Sequence, residues 1–259
     1  MNCSIFKENK MKLSKNTILQ IENLIKTCKF ADIAELKVLD GIASAINKSK
    51  TILMISDFVI TESTDGFALT RLDLFMSRFN LIKDIPDYEI NADLKTKQSV
   101  LDANGKEISP EMELISRIIF KAKRIKAEYK CSLPQAVKAP SAVKDEFNKK
   151  ISLNEEFVLT LIKASAAADN EIIKINYTDN KLSFILSDIN KDQIVLDIDS
   201  DVLDENDLIY NEDFEFSYNI KSIFQLLKNT DNYNIEIGVK GILKIVVNSL
   251  SFYALPANI

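Results

Sequence analysis

Six carboxylates fall within the stretch from Asp197 to Asp207: Asp197, Asp199, Asp201, Asp204, Glu205 and Asp207. Such a cluster holds calcium when a glycine turns the loop at its sixth position and a glutamate closes it at the twelfth. Counted from Asp197 those positions are Val202 and Leu208, so the turn and the bidentate ligand are both missing. The stretch reads as a solvated acidic loop, and no metal site is expected.

Other reactive side chains are scarce. The absence of any histidine removes Ser-His and Cys-His nucleophile pairs, the usual imidazole base and most zinc sites. Five glycines in 259 residues leave no cluster that could bring backbone amides up to a phosphate. No cofactor is expected. A carboxylate enzyme would need acids gathered on facing elements, and none is evident, so catalysis is not expected.

The scaffold has to be read from pattern. The length suits one large domain or two of ordinary size, and 46% apolar with 27% charged residues is ordinary for a folded protein. The longest apolar runs, such as Ile52 to Ile55 and Ile242 to Val247, are too short to span a bilayer. The opening MNCSIFKENKMKLSK lacks a secretory apolar core, and cysteines at 3, 28 and 131 suggest no disulfide framework. A cytoplasmic location is expected, with no membrane partner.

One pattern recurs four times: a polar lead, a helical apolar stripe, and an exit into alternating residues. The copies begin KLSKNTILQIENLIKTCK at Lys12, TRLDLFMSRFNLIKD at Thr70, ISLNEEFVLTLIKASAA at Ile151 and FSYNIKSIFQLLKNTD at Phe216. Ser152 with Glu155 reads as a capping box, and Thr70 with Asp73 as a looser one. Stripes such as Leu72, Phe75, Met76 and Phe79, or Ile220, Ile223, Phe224 and Leu227, give each helix one face to bury. Alternation at Ile235, Ile237 and Val239, and in the segment from Glu171 with tight turns at 178–180 and 190–192, predicts antiparallel strands beneath them. The expected class is α+β, with two similar domains, 11–141 and 142–259, each with helices packed on antiparallel sheet. The connector lies in 133–147 with Pro134 and Pro140; residues 1–10 are an extension, and 96–117 an insertion centred on Asn104 and Gly105. Four unrelated amphipathic helices would give the same pattern.

Charge is segregated. The four helical segments carry +3, +2, −1 and +2, leaving −11 for the rest of a chain of net charge −5. Residues seven or eleven apart return to nearly one side of a helix, which pairs Arg71 with Arg78, Lys221 with Lys228, and Lys15 with Lys26, extended by Lys29. The third helix offers only Lys163, with Glu156 on nearly the same side and Lys149 and Lys150 just before it. Such rows can also be plain solvated faces.

MKLSKNTILQIENL, from Met11, resembles the opening of the T-even bacteriophage sliding clamps, DNA polymerase processivity factors. FEFSYNIKSIFQLLKNTDNYNIEIGVKGILKIVVNSLSFYALP, from Phe214, is similar to the final helix, hairpin and strand of clamps generally. The ten residues before Met11 and the 96–117 segment depart from that pattern. The resemblance implies the DNA-clamp fold and three copies closing head to tail into a ring around duplex DNA. It implies as partners a replicative polymerase and a clamp-loader ATPase. Lys15, Lys26, Lys29, Arg71, Arg78, Lys163, Lys221 and Lys228 would then face DNA phosphates regardless of sequence. It further implies an apolar pocket for a partner peptide near the connector and C-terminus, with Leu133, Val137, Pro140, Tyr253, Leu255 and Pro256 as its candidates. The rival reading from the composition is a non-enzymatic viral structural or assembly scaffold.

Overall fold

Apolar residues recur along the chain at two periods, helical and alternating, and the backbone follows both. The computed structural model describes residues 10–60, 62, 64–102, 106–167, 171–179, 181–187, 192–198, 213–230 and 233–257. The chain begins with β1 (Lys10–Lys12), α1 (Lys15–Phe30), β2 (Leu36–Leu39), β3 (Ile42–Ile46), β4 (Ile52–Asp57), β5 (Gly66–Leu69) and α2 (Leu72–Asn80). It continues through β6 (Glu89–Lys97), β7 (Val100–Leu101), β8 (Glu107–Ser109), β9 (Met112–Ala122), β10 (Ile125–Lys130) and a 3-10 turn at Pro134–Ala136. There follow β11 (Phe147–Ser152), α3 (Glu155–Ala167), β12 (Ile172–Thr178), β13 (Lys181–Ser187) and β14 (Gln193–Ile198). Last come β15 (Phe214–Asn219), α4 (Ile220–Leu227), β16 (Asn234–Gly238), β17 (Leu243–Val247) and β18 (Leu250–Ala254).

Two units emerge. The first comprises Met1–Lys29, Ile33–Ala45 and Ser56–Ser141, and the second Phe30–Asp32, Ile46–Ile55 and Ala142–Ile259. Setting aside the β7–β8 hairpin, the order strand, helix, four strands, helix, three strands occurs twice. The pairings repeat too: β1–β6–β9–β10 matches β11–β16–β17–β18, and β2 pairs β3 and β5 as β12 pairs β13 and β15.

In the first unit α1 buries Ile18, Ile21, Leu24, Ile25 and Cys28, and burial pushes the Cys28 thiol up to about 12. The ring of Phe75 in α2 meets Phe120 and Tyr129 edge-on at 5.3 and 5.5 Å, the offset geometry that aromatic quadrupoles favour. Gly66, at φ +157, lies so close to β2 that a Cβ there would come 2.2 Å from the Val38 carbonyl oxygen. The β6–β9 ladder runs from Glu89 opposite Lys121 to Lys97 opposite Met112, so Thr96, Lys97 and 112–117 are strand, and the β7–β8 pair lies between them in the chain. Asn104 and Gly105, at the centre of the expected insertion, lie outside the described residues, as do most of the 1–10 extension and the acidic positions from Asp199 to Asp207.

In the second unit Phe157 of α3 packs on Phe184 of β13 at 5.4 Å, and α4 buries Ile223, Phe224, Leu226 and Leu227. The Tyr218 hydroxyl donates to the Gly241 carbonyl at 2.8 Å, while Asp145 accepts from the amides of Lys240 and Ile242 at 3.0 and 3.3 Å. Together they fix the turn between β16 and β17. Ile235 and Ile237 are buried in β16, whereas Val239 lies past its end and is exposed. Asn180 and Asn190, in the two expected tight turns, fall outside the described residues.

Helix starts differ from the expected capping boxes. Ser152 belongs to β11, where it pairs with Asn234, and α3 is capped by Asn154, whose Oδ1 accepts from the Phe157 amide at 2.7 Å. At α2 the N-cap is Arg71, which supplies no side-chain bond. Ser14 caps α1 through the Thr17 amide, and Asn219 caps α4 through the Ser222 amide. Asn219→Ala is expected to cost about 1 kcal/mol of stability, read as a lower urea midpoint with an unchanged slope.

Candidate nucleic-acid interface

In the first unit the cations differ in how freely they could meet an anion. Lys15, Lys26 and Lys29 are all exposed on α1. Lys26 is paired with Glu22 at 2.8 Å and Lys29 with Asp73 of α2 at 2.9 Å, and Lys15 Nζ lies 5.8 Å from the centre of the Tyr88 ring. Surface pairs of this kind contribute little and exchange readily. Arg71 is exposed and has no ion pair among the described residues.

Arg78, seven residues after Arg71, is held differently. It is half-buried, its guanidinium donates to the Glu128 carbonyl, and it sits 5.9 Å from the centre of the Tyr129 ring. An arginine placed over a ring and bonded to backbone is already committed.

The second unit is plainer. Lys163, Lys221 and Lys228 are exposed, and none has an ion pair among the described residues. Lys221 and Lys228 stand about 10 Å apart along α4 and line a trough of about 460 Å³ with Ser165, Ala166, Ile220, Phe224 and Gln225. The trough contains no acid. Glu155 and Glu156 occupy the first turn of α3, where the helix dipole favours negative charge. Lys149, expected to help α3, instead has its Nζ over the Phe214 ring at 5.4 Å.

The peptide candidates divide between the units. In the first, Leu133 is 52% exposed and Pro140 is exposed. Val137, a candidate for the peptide pocket, is only 2% exposed, because the turn closed by its amide on the Pro134 carbonyl aims it inward. In the second, Tyr253 is half-buried with its ring 5.8 Å from Phe147, and Leu255 and Pro256 are half-buried where the chain leaves β18.

Which strands carry free edges is not readable from the sequence. The outer edges of β10 and β14 have no strand partner among the described residues. The hairpin leading through β10 carries Lys121, Lys123, Arg124, Lys126 and Lys130, whereas β14 carries Asp197. Glu128 lies among those cations, and hydrogen bonds from Lys126 and then Arg117 hold its carboxyl below the usual carboxylate range. An edge can be read from sequence only once its neighbours are known. The described residues include no helix long and apolar enough to cross a membrane.

No protein-family model and no curated protein sequence matches this chain. Among solved structures it is similar to the proliferating cellular nuclear antigen of Entamoeba histolytica, at 14% identity and TM-score 0.52, over 96% of this chain and 98% of that one. It is also similar to the DNA polymerase sliding clamp of Bacillus subtilis, at 14% identity and TM-score 0.58, over 100% of this chain and 67% of that one. The clamp of Pseudomonas aeruginosa matches at 10% identity and TM-score 0.56, over 96% and 64%. With its doubled order of helices on antiparallel sheet, the chain has the α+β sliding-clamp fold.

Proposed function

We propose that this chain is a sliding clamp of the T-even phage type, a non-catalytic processivity factor that encircles duplex DNA and tethers a replicative polymerase. One observation carries the reading: the fold places exposed cations on the helices of both repeats of an otherwise acidic chain. Lysines facing phosphates grip any sequence weakly, and a topological link makes a weak grip sufficient. A closed ring needs an ATP-driven loader to pass it onto circular DNA. The polymerase is recruited in this reading at Tyr253, Leu255 and Pro256.

Ring closure has support in the repeat itself. Within the second unit β18 pairs β4, with Ser251 opposite Ile55 and Tyr253 opposite Leu53. By element order, β10 and β14 are the counterparts of β18 and β4, and both have edges without a strand partner among the described residues. The same pairing between copies would be head to tail, hide both edges, and close after three copies in this reading. The flanking hairpins carry the register over. Leu250 opposite Val247 corresponds to Ile125 opposite Ala122. Ile52, bonded to Asn47, is matched with Ile194, one residue inside the end pair Ser187 and Gln193, because Ile52 is buried and Ile194 is less exposed than Gln193. Lys126 of one copy then lies opposite Asp197 of the next.

The test is topological. After loading with its loader and ATP, the protein is expected to stay on a nicked circle and to be lost within minutes once the circle is cut. Equal retention on circle and linear DNA would refute the ring, and retention on neither would favour a scaffold without a DNA role.

A further inference from the structure

We propose that a groove in the first unit, where the ends of β6, β9 and β10 meet, is a second docking site, for an acidic, apolar peptide of a partner protein. Its floor is Leu114 and Ile115, and Leu133 stands at its side, 52% exposed. Lys95, Lys97 and Lys130 form the rim. No acid lines the groove, and none of the three lysines has an ion pair among the described residues. In a chain of net charge −5 this is a concentrated positive, apolar spot, complementary to a leucine or isoleucine flanked by carboxylates.

Size and rigidity favour a peptide. The groove holds about 280 Å³, below the roughly 300 Å³ at which sites for whole small molecules begin, and so suits one or two side chains. Its wall is fixed before anything binds: the Cys131 amide donates to the Ser116 carbonyl at 2.9 Å, the Ser132 amide to the Ala68 carbonyl at 3.0 Å, and the Ser132 and Thr70 hydroxyls lie 3.2 Å apart. A wall that need not be ordered on binding saves entropy. The apolar side chain supplies most of the affinity, because exposed lysine–carboxylate contacts are individually weak, and the lysines select the sign of the flanks. None of Tyr253, Leu255 and Pro256 lines the groove, and the proposal rests on the clamp reading only for why partners should dock here.

The probe is a short fluorescent peptide with a Leu-Ile centre flanked by aspartates, titrated into the full chain beside a lysine-flanked version. The aspartate peptide is expected to bind at least about tenfold more tightly, and Leu133→Asp to weaken it by at least about tenfold. Lys95→Glu with Lys130→Glu should cost about fivefold and flatten the salt dependence. Because Leu133 is exposed, the melting temperature of Leu133→Asp should match the parent. Equal binding of both peptides, or unchanged affinity in Leu133→Asp, would overturn the proposal. So would a change of native mass in that variant with no peptide binding, which would assign the groove to a second copy. Retention on circular DNA separates the two readings. A chain that binds the peptide but leaves circles as fast as linear DNA refutes the clamp alone, and one that stays on circles but ignores the peptide refutes the groove alone.

Discussion

Lys126→Glu and Asp197→Lys are each expected to leave the protein monomeric at micromolar concentration, and the double variant to recover assembly. The two residues lie on edges of different units, and the transferred β4–β18 register sets them opposite each other between copies. Like charges facing each other across an interface cost several kcal/mol. A closed ring meets that cost at every joint, which makes loss of assembly all-or-none rather than graded. Lys126 now pairs with Glu128 at 2.7 Å, and Asp197 accepts from the Ser183 hydroxyl at 2.8 Å. Lys126 and Asp197 are both exposed, so neither reversal should disturb the fold. Native mass and a thermal melt measured together separate loss of assembly from loss of folding. If both single variants assemble like the parent, the β10–β14 pairing is wrong. Failure of the double variant with intact folding would shift the register but not the edges.

The helices are legible in the sequence because their signal is local. Ile18, Ile21 and Ile25, or Phe75 and Phe79, recur at a spacing that only a helix puts on one face, and those residues are buried. Helix starts are less legible because two local rules compete. Ser152 and Glu155 satisfy a capping-box pattern, but a strand that pairs with Asn234 across more than eighty residues of sequence claims Ser152 and leaves the cap to Asn154. Strand order is not legible for the same reason at larger scale: β1 finds β6 some eighty residues on, and alternation names a strand but not its neighbour. The candidate interface shows the same limit. Spacing places Lys221 and Lys228 on one exposed side of α4, whereas Arg78 is withdrawn by Tyr129 and the Glu128 carbonyl, which come from β10. Val137 carries no sequence mark that separates it from Leu133, and only the turn at Pro134 sends one inward and leaves the other out.

That difference among the cations makes the second large prediction selective. Replacing Arg71, Lys163, Lys221 and Lys228 together by alanine should abolish stable loading on circular DNA, while Lys26→Ala with Arg78→Ala should weaken it only slightly. The first four are exposed and without ion pairs among the described residues, so their full charge can displace counterions from a duplex. Lys26 lends part of its charge to Glu22, and Arg78 has its guanidinium on backbone. Every cation removed from a phosphate should lower the slope of log affinity against log salt by about one, so the fourfold variant should show a much flatter salt dependence. Native mass should stay that of the parent, since none of the four lies on β10 or β14. Equal losses from the two sets would mean that exposure does not select the DNA-facing cations. No loss from either would leave only Lys15 and Lys29 of α1 among the helical cations to meet the duplex, or move the DNA-binding surface off these helices.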